Sequence, residues 1–233
     1  METCDVSSKE SLVAWEANAD FWDKRMGDES NAFHREIVRP YTDRLMDVQP
    51  GDFVLDVACG NGNYSKHLAE QGVRVVAFDY SEKMIKNAKR RQSRYSDLIE
   101  FHSCDATDYQ QILSLRKEKP FDKAVANMAV MDISLLPPLF RAVYELLKNG
   151  GVFVFSLNHP CFIRPSGDYL EACAYKGEAI VGQPVQQYYF HRSLQELFNC
   201  CFSCGFVIDG YFEEVIDGSE TPIIVIIRLK KQI

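Results

Sequence analysis

Two glycines and an aspartate with a characteristic spacing stand in the first half of the 233-residue chain. Residues 53–65, FVLDVACGNGNYS, place Gly60 and Gly62 directly after an apolar run, and Asp79 follows 17 positions after Gly62. Glycine allows positive φ angles and a close approach of the backbone to a ligand, because it has no Cβ atom. An ionised carboxylate can accept hydrogen bonds from two neighbouring ribose hydroxyls. The pattern therefore predicts a site for a nucleoside-containing ligand.

Small or polar residues also follow the later predicted strands. Ligands of an open α/β sheet bind beyond the carboxyl ends of its strands, where the strand order reverses. The strand ends therefore predict one shared site, whose expected members are Ala58, Cys59, Gly60, Asn61, Gly62, Asp79, Asp105, Ala106, Asn127 and Asn158 with His159.

Three of the acidic residues also have structural interpretations. Asp79 could cap the helix that begins near Ser81, and Asp105 could be the N-cap of the helix that follows it. Asp56 lies inside the first predicted strand, so we expect it to be buried. There it would order the glycine loop by accepting hydrogen bonds from backbone N–H groups.

Histidines are the candidates for acid–base chemistry. His159, in the segment SLNHPCF, is the candidate general base, because the pKa of histidine suits proton transfer at neutral pH. The alternative is that His159 shapes the turn before Pro160, and both interpretations stay open. His191 is a weaker candidate, and His34 is expected to be a partly buried structural residue.

The elements that must position these residues alternate between strands and helices. Apolar, β-branched runs predict strands at residues 53–57, 73–78, 98–103, 121–127 and 152–157. Helical patterns lie between them, and Pro137 with Pro138 fits only the first turn of the helix at residues 135–147. After a helix at residues 193–204, two last strands at 206–212 and 223–229 are joined by a turn at 217–219, so they must run antiparallel.

The pattern therefore predicts an α/β fold. We expect a Rossmann-like, mostly parallel sheet of seven strands, with an antiparallel C-terminal hairpin and helices on both faces. Residues 1–233 are expected to form a single domain. Residues 1–48 are expected to form an N-terminal helical lid with a break at 27–31. Residues 158–190 have no regular period, which predicts an insertion on the substrate side.

Composition narrows the classes of partner. The net charge of −7 argues against nucleic acid, whose phosphates require a basic surface. Eight cysteines with no apolar leader-like run predict reduced thiols in the cytoplasm, and no apolar run is long enough to span a bilayer. The cluster Cys200, Cys201 and Cys204 has no second pair at zinc-binding spacing, so no metal site is predicted. The oligomeric state is left open.

The motif VLDVACGNG followed by AFDYS resembles the first two motifs of class I S-adenosylmethionine-dependent methyltransferases. The segment FWDKRMGDESNAFHRE is similar to the amino-terminal segment of thiopurine- and tellurite-type methyltransferases. The resemblance implies S-adenosyl-L-methionine as cofactor and S-adenosyl-L-homocysteine as product. It implies cofactor contacts from the strand-end residues given above other than Asn158 and His159, and from Trp22, Phe33, Tyr80, Met84 and Met128. Asp105 with Ala106 would contact the adenine ring.

The expected function is methyl transfer to a small-molecule acceptor, and the aromatic residues between 162 and 190 favour a planar or apolar one. The alternatives are a tRNA or rRNA methyltransferase and a non-catalytic module that binds S-adenosylmethionine. A Pro-Cys nucleophile of the cytosine-C5 type at Cys161 is disfavoured by the acidic charge. A nicotinamide-dependent oxidoreductase is disfavoured because Ser65 stands where a third glycine is expected.

Overall fold

The computed structural model describes residues 8–162, 168–216, 218 and 220–232. Its strands are β1 (Phe53–Val57), β2 (Arg74–Asp79), β3 (Ile99–Ser103), β4 (Phe121–Ala126), β5 (Leu147–Asn158), β6 (Cys173–Gly177), β7 (Gln187–His191), β8 (Phe206–Glu214) and β9 (Ile224–Lys231). Seven of them form one sheet in the order β3-β2-β1-β4-β5-β9-β8. Strands β1 to β5 are parallel, whereas β9 is antiparallel to both β5 and β8. This confirms the predicted Rossmann-like sheet. Asp217 and Ser219 of the predicted final turn lie outside the described residues.

Helices cover both faces of this sheet. They are α1 (Ser8–Met26), α2 (Arg39–Met46), α3 (Asn63–Ala69), α4 (Glu82–Arg91), α5 (Tyr109–Leu113), α6 (Leu136–Leu146) and α7 (Leu194–Ser203), with a π-helical turn at Phe33–Val38 before α2. One apolar layer lies under α5, α6 and α7, and a second lies under α2, α3 and α4. Helix α6 begins with Pro137 and Pro138 in its first turn, as predicted.

Residues 158–190, whose sequence shows no regular period, contain a hairpin. Strands β6 and β7 pair antiparallel as a separate two-stranded sheet, and Tyr175 packs on Tyr189 across it with 5.5 Å between ring centroids. The hairpin was not predicted because its strands show no clear alternation of apolar and polar residues. The substrate-side role of this insertion stays a prediction. Residues 163–167 of this segment lie outside the described part of the chain.

A buried carboxylate joins the beginnings of the central strands. Asp122, in β4, accepts a hydrogen bond from the backbone N–H of Phe53 at 2.9 Å. It also pairs with the ammonium groups of Lys119 at 2.9 Å and Lys148 at 2.7 Å. Burial alone would raise the pKa of Asp122, but these hydrogen bonds outweigh burial and lower the pKa to about 2.

We expect Asp122→Ala to lower the free energy of unfolding at pH 7 by about 1–3 kcal/mol, because it removes the acceptor of a buried N–H. A depressed folded-state pKa stabilises the protein above the pKa of the unfolded state, and this contribution is lost as the pH falls toward the folded pKa. The difference from wild type should therefore narrow as the pH falls from 5 toward 2, which urea unfolding over that range measures.

Lys119→Ala is the matched control for this prediction. The Lys119 side chain is 62% exposed, so its removal should cost less than about 1 kcal/mol. An Asp122→Ala protein as stable as wild type at pH 7 would show that the carboxylate does not hold these strands together.

Candidate functional site

A cavity of about 280 Å³ lies at the carboxyl ends of β1, β2 and β4, with α1 forming part of its wall. The residues of the predicted cofactor site that line it are Trp22, Phe33, Ala58, Cys59, Gly60, Asn61, Asp79, Tyr80, Met84, Asp105, Ala106, Asn127 and Met128. Gly62 and His159 are not part of this lining. The fold thus brings together in one place residues that are spread over more than a hundred positions of sequence.

The two glycines of the loop have different surroundings. Gly60 has a φ of +55°, and a Cβ placed there would lie 3.7 Å from the Trp22 indole nitrogen. Gly62 has a φ of +75° and directly precedes α3; a Cβ there would lie 2.8 Å from the Phe101 ring. Gly60 therefore faces the cavity, whereas Gly62 is required for packing of the loop against β3.

Asp79 connects the end of β2 to the glycine loop. One carboxylate oxygen accepts the backbone N–H of Gly60 and the other accepts that of Ser81, each at 3.0 Å. The helix cap is Ser81 itself, whose hydroxyl accepts the N–H of Met84 at 3.1 Å. Burial raises the pKa of Asp79 to about 6, although the two backbone hydrogen bonds oppose that rise.

Asp56 is buried as predicted, but it does not bond to backbone N–H groups. Its Oδ2 accepts the Ser65 hydroxyl at 2.5 Å, so the predicted contact to the loop backbone is wrong. Asp79 makes that contact instead, because it projects from the strand end toward the loop, whereas Asp56 lies inside β1. Burial raises the pKa of Asp56 to about 7, and the nearby Asp79 adds to the rise.

Asp105 forms a local turn and does not cap a helix. Its Oδ1 accepts both the backbone N–H and the hydroxyl of Thr107, each at 2.8 Å. The N-cap of α5 is Asp108, which accepts the N–H groups of Gln110 and Gln111. The N-cap prediction for Asp105 is therefore wrong, since α5 begins three residues later than a cap at Asp105 would require.

Ser156 on β5 fixes the chain after β4. Its hydroxyl donates to Asn127 Oδ1 at 3.0 Å and accepts the backbone N–H of Met128 at 2.8 Å. Met128 has a φ of +53°, an unusual conformation for a residue with a side chain. The two contacts hold this turn in position at the cavity wall.

Helix α1 is attached to α4 by ion pairs around one buried aspartate. Asp23 is 4% exposed and pairs with Arg90 at 2.7 Å and with Arg91 through two guanidinium nitrogens. The Asn61 side chain of the glycine loop also donates to Asp23, at 3.2 Å. Asp23 therefore links the N-terminal helix both to α4 and to the loop.

Further contacts of α1 reach the β6–β7 region. The Asn18 amide donates to the carbonyl of Val185 at 2.7 Å and accepts the N–H of the same residue at 3.0 Å. Glu16 accepts the hydroxyl of Ser81 at 2.7 Å. Helix α1 is thus joined to elements on both sides of the cavity.

His159 lies in the turn after β5, and both of its ring nitrogens have hydrogen-bond partners. Nδ1 accepts the backbone N–H of Cys161 at 3.1 Å, so the proton sits on Nε2, which donates to Glu213 at 2.8 Å. The ring is 3% exposed. This arrangement favours the turn-shaping interpretation, and a catalytic role for His159 stays a prediction.

His34 lines the cavity, whereas the sequence predicted only a partly buried structural residue. It lies beside Trp22, with 5.9 Å between the ring centroids, and its Nδ1 lies 2.9 Å from the Asn31 side-chain oxygen. Burial, followed by the charge of Arg39, lowers the pKa of His34 to about 4. The ring is therefore neutral at physiological pH.

Asp132 is a cavity residue whose role was not predicted from the sequence. It ends the short 3₁₀ helix Val130–Asp132 and accepts the side-chain amide of Gln187 on β7 at 3.1 Å. Burial raises its pKa well above the usual range. The sequence does show an acidic residue five positions after Asn127. Its pairing with Gln187 could not be predicted, because the two residues are far apart along the chain.

Two kinds of feature are absent from the described part of the chain. No group of three His, Cys, Asp or Glu side chains there is arranged to hold a metal ion. None of the helices there is long and apolar enough to cross a membrane.

The sequence of residues 49–189 matches the model of a family described as a methyltransferase domain. Over 128 residues the chain is 32% identical to a demethylmenaquinone methyltransferase of Symbiobacterium thermophilum, covering 52% of this chain and 47% of that protein. It is 32% identical over 133 residues to phosphoethanolamine N-methyltransferase 1 of Arabidopsis thaliana, covering 57% of this chain and 26% of that protein. The chain thus spans about half or less of the length of these relatives.

The fold is similar to that of a solved Burkholderia thailandensis 1,6-didemethyltoxoflavin-N1-methyltransferase, with a TM-score of 0.68 and 18% identity. The similarity covers 100% of this chain and 94% of that one, which was solved with 1,6-didemethyltoxoflavin and S-adenosylhomocysteine bound. The predicted similarity of the N-terminal segment to thiopurine- and tellurite-type enzymes stays a prediction, because the family model begins at residue 49.

We expect Asp56→Asn to become more stable relative to wild type as the pH rises from 5 to 8. The folded-state pKa of Asp56 is raised to about 7. Protonated Asp56 therefore contributes to the free energy of unfolding of wild type in full below the unfolded pKa, and this contribution is lost as the pH rises through 7. The relative gain should be a few kcal/mol at most, on a conversion of about 1.4 kcal/mol per pH unit.

Urea unfolding of both proteins at pH 5 and pH 8 measures this difference. Asparagine retains an oxygen that can accept the Ser65 hydroxyl, so the variant keeps the contact in β1. A stability difference that does not change between the two pH values would contradict the raised pKa.

Proposed function

Because the chain belongs to the methyltransferase-domain family, whose methyl donor is S-adenosylmethionine, we propose that it methylates a small-molecule acceptor within the cavity. The observation that carries the proposal is the convergence of the glycine loop, Asp79, Asp105 and Asn127 on one cavity. These residues follow four parallel strands, β1 to β4, at the edge where open α/β sheets bind ligands.

The residues that line the cavity have the shape and the hydrogen-bonding groups that an adenosyl ligand requires. A Cβ at Gly60 would point toward Trp22 in the cavity wall. Because Gly60 has no side chain, a ligand can approach its backbone closely. The Asp79 oxygens each accept one backbone N–H, and each retains a lone pair for a ribose hydroxyl. The cavity side of the Asp105 turn would contact the adenine ring, while Asn127 and Met128 would lie beneath the methionine portion.

When bound, S-adenosylmethionine supplies an electrophilic methyl group on a sulfonium sulfur. The protein's contribution is to hold the acceptor in line with that group and to exclude water. We assign the covering role to residues 1–48, of which residues 1–7 lie outside the described part of the chain and residues 8–48 contain α1, the π-helical turn and α2. In this proposal Trp22 and Phe33 close the cavity over the cofactor, and the described residues of the 158–190 insertion supply the acceptor side.

The two alternative functions predict properties that differ from those of a small-molecule methyltransferase. A tRNA or rRNA methyltransferase requires cations near its active site, but none of the described residues that line the cavity is Lys or Arg. The net charge of −7 points the same way. A module that binds S-adenosylmethionine without catalysis would bind the cofactor but release no S-adenosylhomocysteine, which an assay with an acceptor panel distinguishes.

We also assign the protein to a reducing compartment such as the cytoplasm. Cys104 and Cys201 carry free thiols and are buried in the apolar layer under α5 to α7. Buried thiols that pack as small apolar groups are typical of proteins that keep their cysteines reduced.

We expect Asp79→Ala to raise the Kd for S-adenosylhomocysteine at least about tenfold, which corresponds to about 1.4 kcal/mol. The substitution removes the proposed acceptor for the ribose hydroxyls and releases the Gly60 N–H. Isothermal titration calorimetry measures the Kd, and circular dichroism checks that the variant is folded.

Glu82→Ala is the control for Asp79→Ala. Glu82 is an exposed acidic residue in the first turn of α4, so its removal should leave the Kd within about twofold. Unchanged affinity in a folded Asp79→Ala protein would remove Asp79 from the proposed site.

Arg90 and Arg91 offer a matched pair for testing the covering role of α1. Both pair with Asp23, but the Arg91 side chain is 18% exposed and the Arg90 side chain 66%. We expect Arg91→Ala to raise the Kd for S-adenosylhomocysteine about threefold to tenfold and Arg90→Ala to change it less than about twofold.

Hydrogen exchange provides the second measurement for this pair. The amides of α1 should exchange faster in Arg91→Ala than in wild type, because the helix loses its main attachment to α4. Faster exchange without any loss of affinity would show that α1 is attached there but does not retain the cofactor.

A further inference from the structure

The described cavity wall contains four carboxyl groups, and three of them accept hydrogen bonds on the proposed cofactor side. Asp56 accepts the Ser65 hydroxyl, Asp79 accepts two backbone N–H groups, and Asp105 forms a turn with Thr107. The fourth carboxyl group belongs to Asp132, which has no role in the proposed cofactor contacts.

Asp132 is held from one side and open on the other. Its Oδ1 accepts the amide of Gln187 at 3.1 Å, whereas its Oδ2 has no hydrogen-bond partner among the described residues. Gln187 is fully buried, and its own oxygen faces the Gln183 amide at 3.3 Å. The carboxylate is therefore oriented by a buried amide pair, with one oxygen left for a ligand.

The surroundings of Asp132 favour a cation. Aromatic rings of Trp15, Tyr80 and Tyr189 line the same cavity, and none of its described lining residues is Lys or Arg. Burial, with the charge of Asp132 adding to it, raises the pKa of the Tyr80 and Tyr189 phenols, so both stay neutral. Neutral aromatic rings beside a carboxylate attract ammonium groups, whereas phosphate or carboxylate acceptors would find no counter-ion on the described wall.

We propose that Asp132 is a catalytic residue that binds the nitrogen of an amine acceptor and takes the proton which this nitrogen must lose before methylation. The inference rests on the proposed function and narrows its substrate class to amines. Burial raises the pKa of Asp132 well above that of an exposed carboxyl group, which makes its carboxylate a stronger base.

The proton and electron balance needs no further reactant. An ammonium N–H proton passes to Asp132 Oδ2, which leaves a lone pair on nitrogen and a neutral carboxyl group. That lone pair forms the new N–C bond, and the electron pair of the breaking C–S bond returns to sulfur. The methylated ammonium leaves with one positive charge, and the Asp132 proton returns to water.

Fragment binding to the protein saturated with S-adenosylhomocysteine tests this inference without turnover. The probes are three matched sets of amine, alcohol and acid: benzylamine, benzyl alcohol and benzoate; phenethylamine, 2-phenylethanol and phenylacetate; tryptamine, tryptophol and indole-3-acetate. Ligand-observed NMR titration gives each Kd. We expect the amine to bind at least about tenfold more tightly than its alcohol in at least one set, with the acid weakest.

Variants at Asp132 then link that preference to the carboxylate. Asp132→Asn keeps an oxygen for the Gln187 amide but loses the charge, so the preference for amines should fall at least about tenfold. Asp132→Glu should restore part of it. Asp108→Asn alters a carboxylate outside the cavity lining and should leave the preference unchanged. The Kd for S-adenosylhomocysteine should change less than about twofold in all three variants.

Three outcomes would overturn the inference alone: alcohols or acids that bind as tightly as the amines, no binding in any set, or an Asp132→Asn protein that keeps the preference. In each case S-adenosylhomocysteine still binds, and the proposed function stands. Failure of wild type to bind S-adenosylhomocysteine would overturn the proposed function together with this inference.

Discussion

The contact between the end of β2 and the loop after β1 is the constraint on which the site depends. The Asp79 carboxylate accepts the N–H groups of Gly60 and Ser81, so one buried group fixes both the glycine loop and the entry to α4. Gly60 lies in the loop between β1 and α3 and Ser81 is the N-cap of α4, so both N–H groups lie outside the strands. The carboxylate remains buried because these bonds offset part of its cost of desolvation.

Charged and amide contacts attach α1 beside the cavity. Val13 of α1 is 71% exposed, and the helix is held by the contacts of Asp23, Glu16 and Asn18. Asp23 is itself 4% exposed, and removing one partner from a buried ion pair leaves an uncompensated charge. These contacts therefore fix the position of α1 in the cavity wall.

The side of the cavity away from the glycine loop is assembled from distant segments. Asn18 of α1 bonds to Val185, and the Gln183 amide contacts both that carbonyl and Gln187, which in turn orients Asp132. This series of amide contacts joins the N-terminal helix, the β6–β7 hairpin and the turn after β4. A displacement of α1 would therefore change the hydrogen bonds that orient Asp132, where the acceptor is proposed to bind.

The amino-acid sequence was sufficient for the sheet and for most of the residues that its strand ends bring to one cavity, because these depend on local patterns. The glycine loop, Asp79, Asp105 and Asn127 each follow a strand that its own apolar run predicts, and parallel strands bring their carboxyl ends together. The roles of Asp56 and the capping of α5 were misjudged, because choosing between nearby acceptors requires side-chain directions. The pairing of Asp132 with Gln187 and the place of α1 in the cavity wall required the folded chain. These contacts join residues far apart in sequence, and no local propensity encodes which of them meet.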